Sequence, residues 1–180
     1  MEDRFIEEDV KHRLILSGLQ ELEERGVEDF SLRRAAIGAQ VSCAAPYRHF
    51  KSKEEYIGEV VRYIESRWDL MAREIESVFA SDKSRLVAEL CVASLRFRIT
   101  NRNFRTPLTL NDGNTTDHID SSIARAVSGY CREKGLSPEE EELRRFVAVS
   151  LISGAVVTST PENRDRIIEL TRKKITEEFP

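Results

Sequence analysis

Apolar positions recur at helical spacing along nearly the whole chain. Ile6, Val10, Leu14, Gly18 and Leu22 stand four residues apart and are joined by Ile15 and Leu19, which predicts an amphipathic helix from about Phe5 to Arg25, ended by Gly26. Two short helices follow, at about Ser31–Gly38 and Ser42–His49, each opened by a serine of N-cap type. Leu32, Ala35, Ala36, Ala39, Val41, Ala45 and Phe50, with Phe30 as a plug, supply the small core that packs them on the first helix. Ser52 and Glu55 form a capping-box pattern. Beyond it Ile57, Val61, Ile64, Trp68, Met71, Ile75 and Val78 mark one long helix.

Ser81 to Thr100 is apolar on several sides, as expected of a helix surrounded by others. Asn101 to Asp117 is the least regular stretch, with one short helix expected around Phe104–Leu110. Ile119, Ile123, Ala126, Val127 and Tyr130 predict a helix that stops near Gly135. Ser137, Pro138 and Glu140 then open another, running to about Ser159. Thr160 and Pro161 repeat that device for the last helix, where Ile167, Ile168, Thr171 and Ile175 share a face. The expected fold class is all-α, with about nine helices. Three short N-terminal helices, the last two joined by a tight turn, form a helix-turn-helix head on a larger helical body. The boundary is expected between residues 51 and 52, giving domains 1–51 and 52–180.

Composition narrows the class. With 33% charged and 40% hydrophobic residues over 180 positions, the chain is too apolar for disorder and too polar for a membrane protein. Its longest mainly apolar run, Phe146 to Val157, is broken by Ser150, Ser153 and Gly154 and is shorter than the roughly 20 residues of a membrane span. The N-terminus has no apolar leader, so a cytoplasmic location is expected. Cys43, Cys91 and Cys131 are far apart and unpaired in pattern, which fits free thiols rather than a disulfide framework or a zinc knuckle. No metal or other cofactor is expected.

The net charge of −4 disfavours a protein that coats nucleic acid, but its distribution changes the picture. Residues 1–30 hold ten acids and four bases. Residues 31–53 hold Arg33, Arg34, Arg48, Lys51 and Lys53 and no acid, a local +5 that suits an anion-binding surface.

The segment FSLRRAAIGAQVSCAAPYRHFKSKEEYI, preceded by LEERGVED, resembles the DNA-binding head of the TetR/AcrR family of transcriptional regulators. The match covers about the first 60 residues, and its most specific part is Val41 and Ser42 followed by the ordered run Tyr47 to Glu55. The resemblance implies duplex DNA as partner. A short helix meets base edges with its first turn, where Ser42, Cys43, Ala44 and Ala45 are small enough for close approach and the alanines suit thymine methyl groups. Tyr47 and His49 stand where similar proteins contact phosphate oxygens, and Ser31 and Arg33 open the preceding helix. Arg48 faces either a base or solvent. Lys51 and Lys53 flank a helix N-terminus, where a lysine is unfavourable unless an anion approaches.

Two departures from the family pattern stand out. Gln40 occupies the usual position of the turn glycine, which requires a non-glycine residue at φ > 0. Pro46 sits in the first turn of the recognition helix, where its missing amide costs little.

Behind the head the resemblance implies a ligand-binding and dimerisation body responsive to a small-molecule effector. Its last two helices would pair with those of a second copy as a four-helix bundle. Leu143, Val147, Ser150, Leu151, Gly154, Ile168, Thr171 and Ile175 are the candidate seam, unless that stripe only seals the chain's own core. Trp68, Met71, Phe97, Phe104, Leu108, Ile123, Tyr130 and Phe146 are candidate pocket liners, with ordinary core packing as the alternative.

The chain is therefore read as a homodimeric regulator, by default a repressor released from a palindromic operator by its effector. The other reading is a helical homodimer whose degenerate head binds protein. An enzyme is not expected, because His12, His49 and His118 are scattered and no HExxH, GxSxG, P-loop or GxGxxG run occurs. Cys43 is either a small groove-facing residue or, at a helix N-terminus, a redox-sensitive thiol.

Overall fold

The computed structural model describes residues 2–101 and 118–180, with side chains from Asp9 and, in the second segment, from Ile119. The described residues contain eight helices and no strand: α1 (Glu2–Arg25), α2 (Leu32–Gly38), α3 (Pro46–His49), α4 (Lys53–Val78), α5 (Lys83–Thr100), α6 (His118–Lys134), α7 (Pro138–Thr158) and α8 (Arg164–Glu178). The short helix expected around Phe104–Leu110 lies outside the described residues. Two compact units are present. One reaches from the N-terminus to Ser66; the other holds Arg67–Thr100 and the described residues from His118 onward.

The first unit is assembled around Tyr56. Leu14 and Leu22 of α1, Ala35 and Ala36 of α2, Phe30 and Phe50 are all buried with it. The Tyr56 ring stacks on Phe50 at 4.2 Å and meets Phe30 edge-on at 5.3 Å. Its hydroxyl, which has no water to bond, donates to the Leu14 carbonyl of α1. Gly18 is small because that ring passes over it: a Cβ there would stand 2.8 Å from the phenol ring. The apolar stripe of α1 is thus a slot for an aromatic residue from α4.

Helix ends follow local chemistry. Gly26 (φ 75°) closes α1 through its N–H to the Leu22 carbonyl, and Gly135 (φ 68°) closes α6 with the Leu136 N–H bonded to the Cys131 carbonyl. At α4 the Glu55 N–H bonds Ser52 Oγ as the capping pattern predicts, but the Glu55 carboxylate reaches the Lys51 N–H. The box at α7 is complete, with Ser137 and Glu140 bonding each other's N–H groups. The last helix starts three residues later than Pro161 suggests. The Asn163 side chain bridges the Thr160 N–H and the Thr158 carbonyl, which holds residues 161–163 in a turn.

In the second unit α5 packs on α6, α7 and α8, and its Leu86, Val87, Leu90, Cys91, Val92 and Leu95 are buried, as its apolar residues on several sides require. Trp68 of α4 is fully buried, donates from Nε1 to Ser122 Oγ at 3.3 Å and meets Phe97 edge-on at 5.5 Å. At the other end of the unit Phe179 packs edge-on against Tyr130, and the Arg144 guanidinium lies over both rings at 5.6 Å. Val78, expected on the buried stripe of α4, is exposed at the last residue of that helix.

Two measurements test these cores. Gly18→Ala should destabilise the protein by about 1–3 kcal/mol in urea denaturation, because the Tyr56 ring it would strike is itself stacked and bonded. Burial also pushes the Cys91 thiol up to about 12. Its neutral form is retained on folding, so the stability present below the unfolded thiol value of about 8.5 declines as pH rises toward 12. Cys91→Ala should make that decline shallower between about pH 9 and 11.

Candidate nucleic-acid interface

The acid-free segment 31–53 is held from behind by an acid of α1. Glu21 falls on the buried side of α1, one turn beyond Gly18, and is only 8% exposed. It accepts the Ser31 N–H at 3.2 Å and Arg34 Nε at 2.7 Å, while Arg34 also donates to the Asp29 carbonyl. The hydrogen bond that it donates to Glu21 raises the Arg34 guanidinium above its ordinary value. This pair fixes the start of α2, and it removes Arg34 from the charge available to a ligand. The sequence signal for it was an acid on an otherwise apolar stripe.

Ser31 is the N-cap of α2, its hydroxyl accepting the Arg34 N–H at 3.4 Å. Arg33 is exposed. Helix α2 ends in a Schellman arrangement with Gln40 in the left-handed conformation (φ 56°), the Val41 N–H bonded to the Ala36 carbonyl and the Gln40 N–H to the Ile37 carbonyl. The turn expected of a glycine is therefore formed by glutamine, with the strain that a Cβ brings.

The second short helix differs from its expected span. Only Pro46–His49 are α-helical, and Ala45 is the N-cap without a side-chain bond, so Ser42 does not cap it. Residues 42–45 form a turn closed by the Ala45 N–H to the Ser42 carbonyl, followed by the Arg48 N–H to the Ala45 carbonyl. The cause is Pro46, which has no N–H for the Ser42 carbonyl that an eight-residue helix would require.

The turn leaves Ser42, Cys43 and Ala44 exposed and directs Ala45 into the core at 8% exposure, so Ala45 is a packing residue rather than part of the outer surface. Cys43 lies in the turn ahead of the N-cap, which removes the helix-terminus argument for an activated thiol.

Tyr47 is 69% exposed, an unusual position for a large aromatic. Arg48 and Lys51 are exposed and His49 is half-buried beside Phe50. Lys53 is half-buried and donates to the Glu28 carbonyl at 3.1 Å, which turns one of its three protons inward. Among the described residues, no ion pair or hydrogen bond engages the side chains of Arg33, Tyr47, Arg48 or Lys51.

The other candidate residues divide by burial. Trp68 and Ile123 belong to the α5-centred core, Met71 and Phe97 are half-buried against it, and Tyr130 is buried there with its hydroxyl 3.3 Å from the Pro180 carbonyl oxygen. Phe104 and Leu108 lie outside the described residues. Phe146 is not a liner of that core: it points outward from α7 at 68% exposure. Leu143, Ser150 and Gly154 are exposed on α7, with Val147 and Leu151 half-buried. Ile168, Thr171 and Ile175 are buried in the chain's own core, because the apolar face of α8 is spent on packing against α5.

No protein-family model matches the sequence, and no curated protein matches it. Solved structures match across nearly the whole chain. RolR bound to resorcinol is 15% identical, covers 97% of this chain and 95% of its own, and superposes with a TM-score of 0.60. The transcriptional regulator FadR from Bacillus subtilis, bound to stearoyl-CoA, is 13% identical over 92% of this chain and 95% of its own, with a TM-score of 0.62. A TetR-family regulator from Streptomyces coelicolor A3 is 14% identical over 95% of this chain and 94% of its own, with a TM-score of 0.53. The chain has the fold of these regulators. None of the described helices is long and apolar enough to cross a membrane.

Gln40→Gly should raise stability by up to about 1 kcal/mol in thermal or urea denaturation, because it relieves a left-handed non-glycine residue at the cost of a freer unfolded chain.

Proposed function

We propose that this protein is a ligand-responsive transcriptional regulator of the TetR/AcrR type, with a DNA-binding head at residues 1–51 and a ligand-binding and dimerisation body at 52–180. One observation carries the reading. The side chains of Arg33, Tyr47, Arg48 and Lys51 are presented without intrachain partners on, or just beyond, two short helices that are clamped from behind by Glu21 and Tyr56. Three cations and an exposed phenol on a pre-ordered segment that carries no acid of its own suit a phosphate backbone, since they lose little side-chain pairing on binding. Ser42, Cys43 and Ala44 stand in the exposed turn ahead of α3, where small side chains allow close approach to base edges.

Binding as a homodimer to a palindromic operator follows from the need for two heads to read two half-sites. Repression is the default sign of regulation, with a cytoplasmic location to match. Two of the fold's neighbours hold small molecules, resorcinol in RolR and stearoyl-CoA in FadR, and this supports an effector for the present chain as well. An effector lowers operator affinity to the extent that it prefers the conformation that binds DNA less well. The inward Ala45 and the four-residue α3 favour the second reading, a helical dimer whose head binds protein.

Fluorescence anisotropy against tiled duplexes flanking the protein's own gene, at about 50 and 200 mM salt, separates the two. The regulator reading expects tile-selective, salt-sensitive binding by two subunits per site. Arg33→Ala, Tyr47→Phe and Lys51→Ala should each weaken binding, and each lost cation–phosphate contact should lower the log–log salt slope by about 1. Absence of binding at the lower salt, for protein with and without candidate small molecules, would favour the protein-binding reading.

A further inference from the structure

Gln40 stands at φ 56°, and among the described residues it is the one other than glycine in the left-handed conformation. The same role after α1 falls to Gly26 and after α6 to Gly135, as the steric cost of a Cβ there favours. The bend between α2 and α3 therefore carries a side chain where none is needed to form it.

That side chain contributes little to the chain's own fold. Gln40 is exposed, and among the described residues its one hydrogen bond runs from the backbone N–H to the Ile37 carbonyl. An open groove of about 320 Å³ lies beside it, against Arg13, Leu16 and Gln20 of α1, so the side chain fills no core position. The bend is held by its neighbours instead. Arg13 Nη1 donates to the Ala39 carbonyl at 3.3 Å, the Ser17 hydroxyl to the Ala35 carbonyl at 2.8 Å, and the Val41 N–H to the Ala36 carbonyl at 3.0 Å. A residue in a sparsely populated conformation persists where its surroundings over-determine it, and such residues cluster at functional positions.

The surface next to the bend shows what the amide can do. Ser42, Cys43 and Ala44 are exposed just beyond Gln40, and their small side chains allow close approach but cannot make two parallel hydrogen bonds to one base. From Ala35 to Tyr47, glutamine is the only side chain that can. Its amide offers a donor and an acceptor in one plane, the complement of adenine N7 and N6 in the major groove. The backbone from Gln40 to Ser42 spans at most about 7 Å, so the amide and the small residues serve the same stretch of surface.

We propose that Gln40 is a specificity-determining residue of the DNA interface: the left-handed bend presents its amide to the major-groove edge of one adenine in each half-site, supplying base selection that Ser42, Cys43 and Ala44 do not. A phosphate oxygen is the poorer partner, because Arg33, Arg48 and Lys51 provide the charge that a phosphate attracts and a neutral amide adds none. The inference rests on the regulator reading above and names a side chain that reads sequence.

The test combines one substitution with a base-pair scan. Glycine suits the bend, so Gln40→Gly keeps the fold, and thermal denaturation checks that it does. Anisotropy is measured for the full chain and for Gln40→Gly against the duplex that wild type selects, and against versions in which each half-site position is replaced in turn. One A·T pair per half-site should cost wild type about 5- to 150-fold in affinity when replaced, the range of a lost bidentate contact, and should cost Gln40→Gly little. A selective wild type whose profile Gln40→Gly matches at every position would overturn the proposal and leave the regulator reading intact. A loss in Gln40→Gly that is uniform across all duplexes would do the same, since it marks a backbone contact. A wild type that selects no duplex would overturn both.

Discussion

A phenol from the start of the long helix has to find room between two phenylalanines and the backbone of another helix, and the first unit is arranged to provide it. Tyr56 brings its ring against Phe50 and Phe30 and its hydroxyl to the Leu14 carbonyl, at the one place on α1 where Gly18 leaves a gap. Phe50 directly follows α3, so the stacking fixes the end of that helix. Phe30 directly precedes Ser31, the N-cap of α2, so the edge contact helps fix its beginning. The positions of Arg33 and Tyr47 are thereby determined by a buried group that never meets solvent. Burial of an aromatic of this size is among the larger stabilising contributions available to so small a core.

Electrostatics complete the same arrangement. Of the five cations in the segment 31–53, Arg34 is consumed by Glu21 and Lys53 is partly turned toward the Glu28 carbonyl. What remains outward is Arg33, Arg48 and Lys51, with Tyr47 among them. A surface that uses one cation to anchor itself and leaves the others unpaired is pre-organised for an anionic partner, since binding then requires no internal ion pair to break. In the second unit the equivalent economy is apolar. α5 buries most of its apolar residues, α8 gives Ile168, Thr171 and Ile175 to the same core, and α7 is left with an outward stripe that the described residues do not cover.

The helical class, the order of elements and most helix ends were legible in the sequence because they depend on local chemistry. Gly26 and Gly135 take the left-handed positions that glycine favours, Ser137 with Glu140 caps α7, and Gln40 adopts the positive φ that its place in the turn demanded. Two local predictions missed. Pro46 shortened α3 to four residues because the missing N–H acts one turn back, on Ser42, and the Asn163 side chain delayed α8 by binding two backbone groups at once.

The amino-acid order by itself determined that the chain is helical, where its cations lie and which positions repeat at helical spacing, since propensity, charge and periodicity are properties of the chain. It did not determine which neighbour each apolar stripe meets. Phe146 and Ile168 are indistinguishable as apolar residues on amphipathic helices, yet one is 68% exposed and the other 3%. Ala44 and Ala45 are adjacent and identical, yet only the second is buried. Those outcomes were decided by tertiary packing, because burial depends on which faces of neighbouring helices meet, and that is a property of the assembled helices rather than of any one of them.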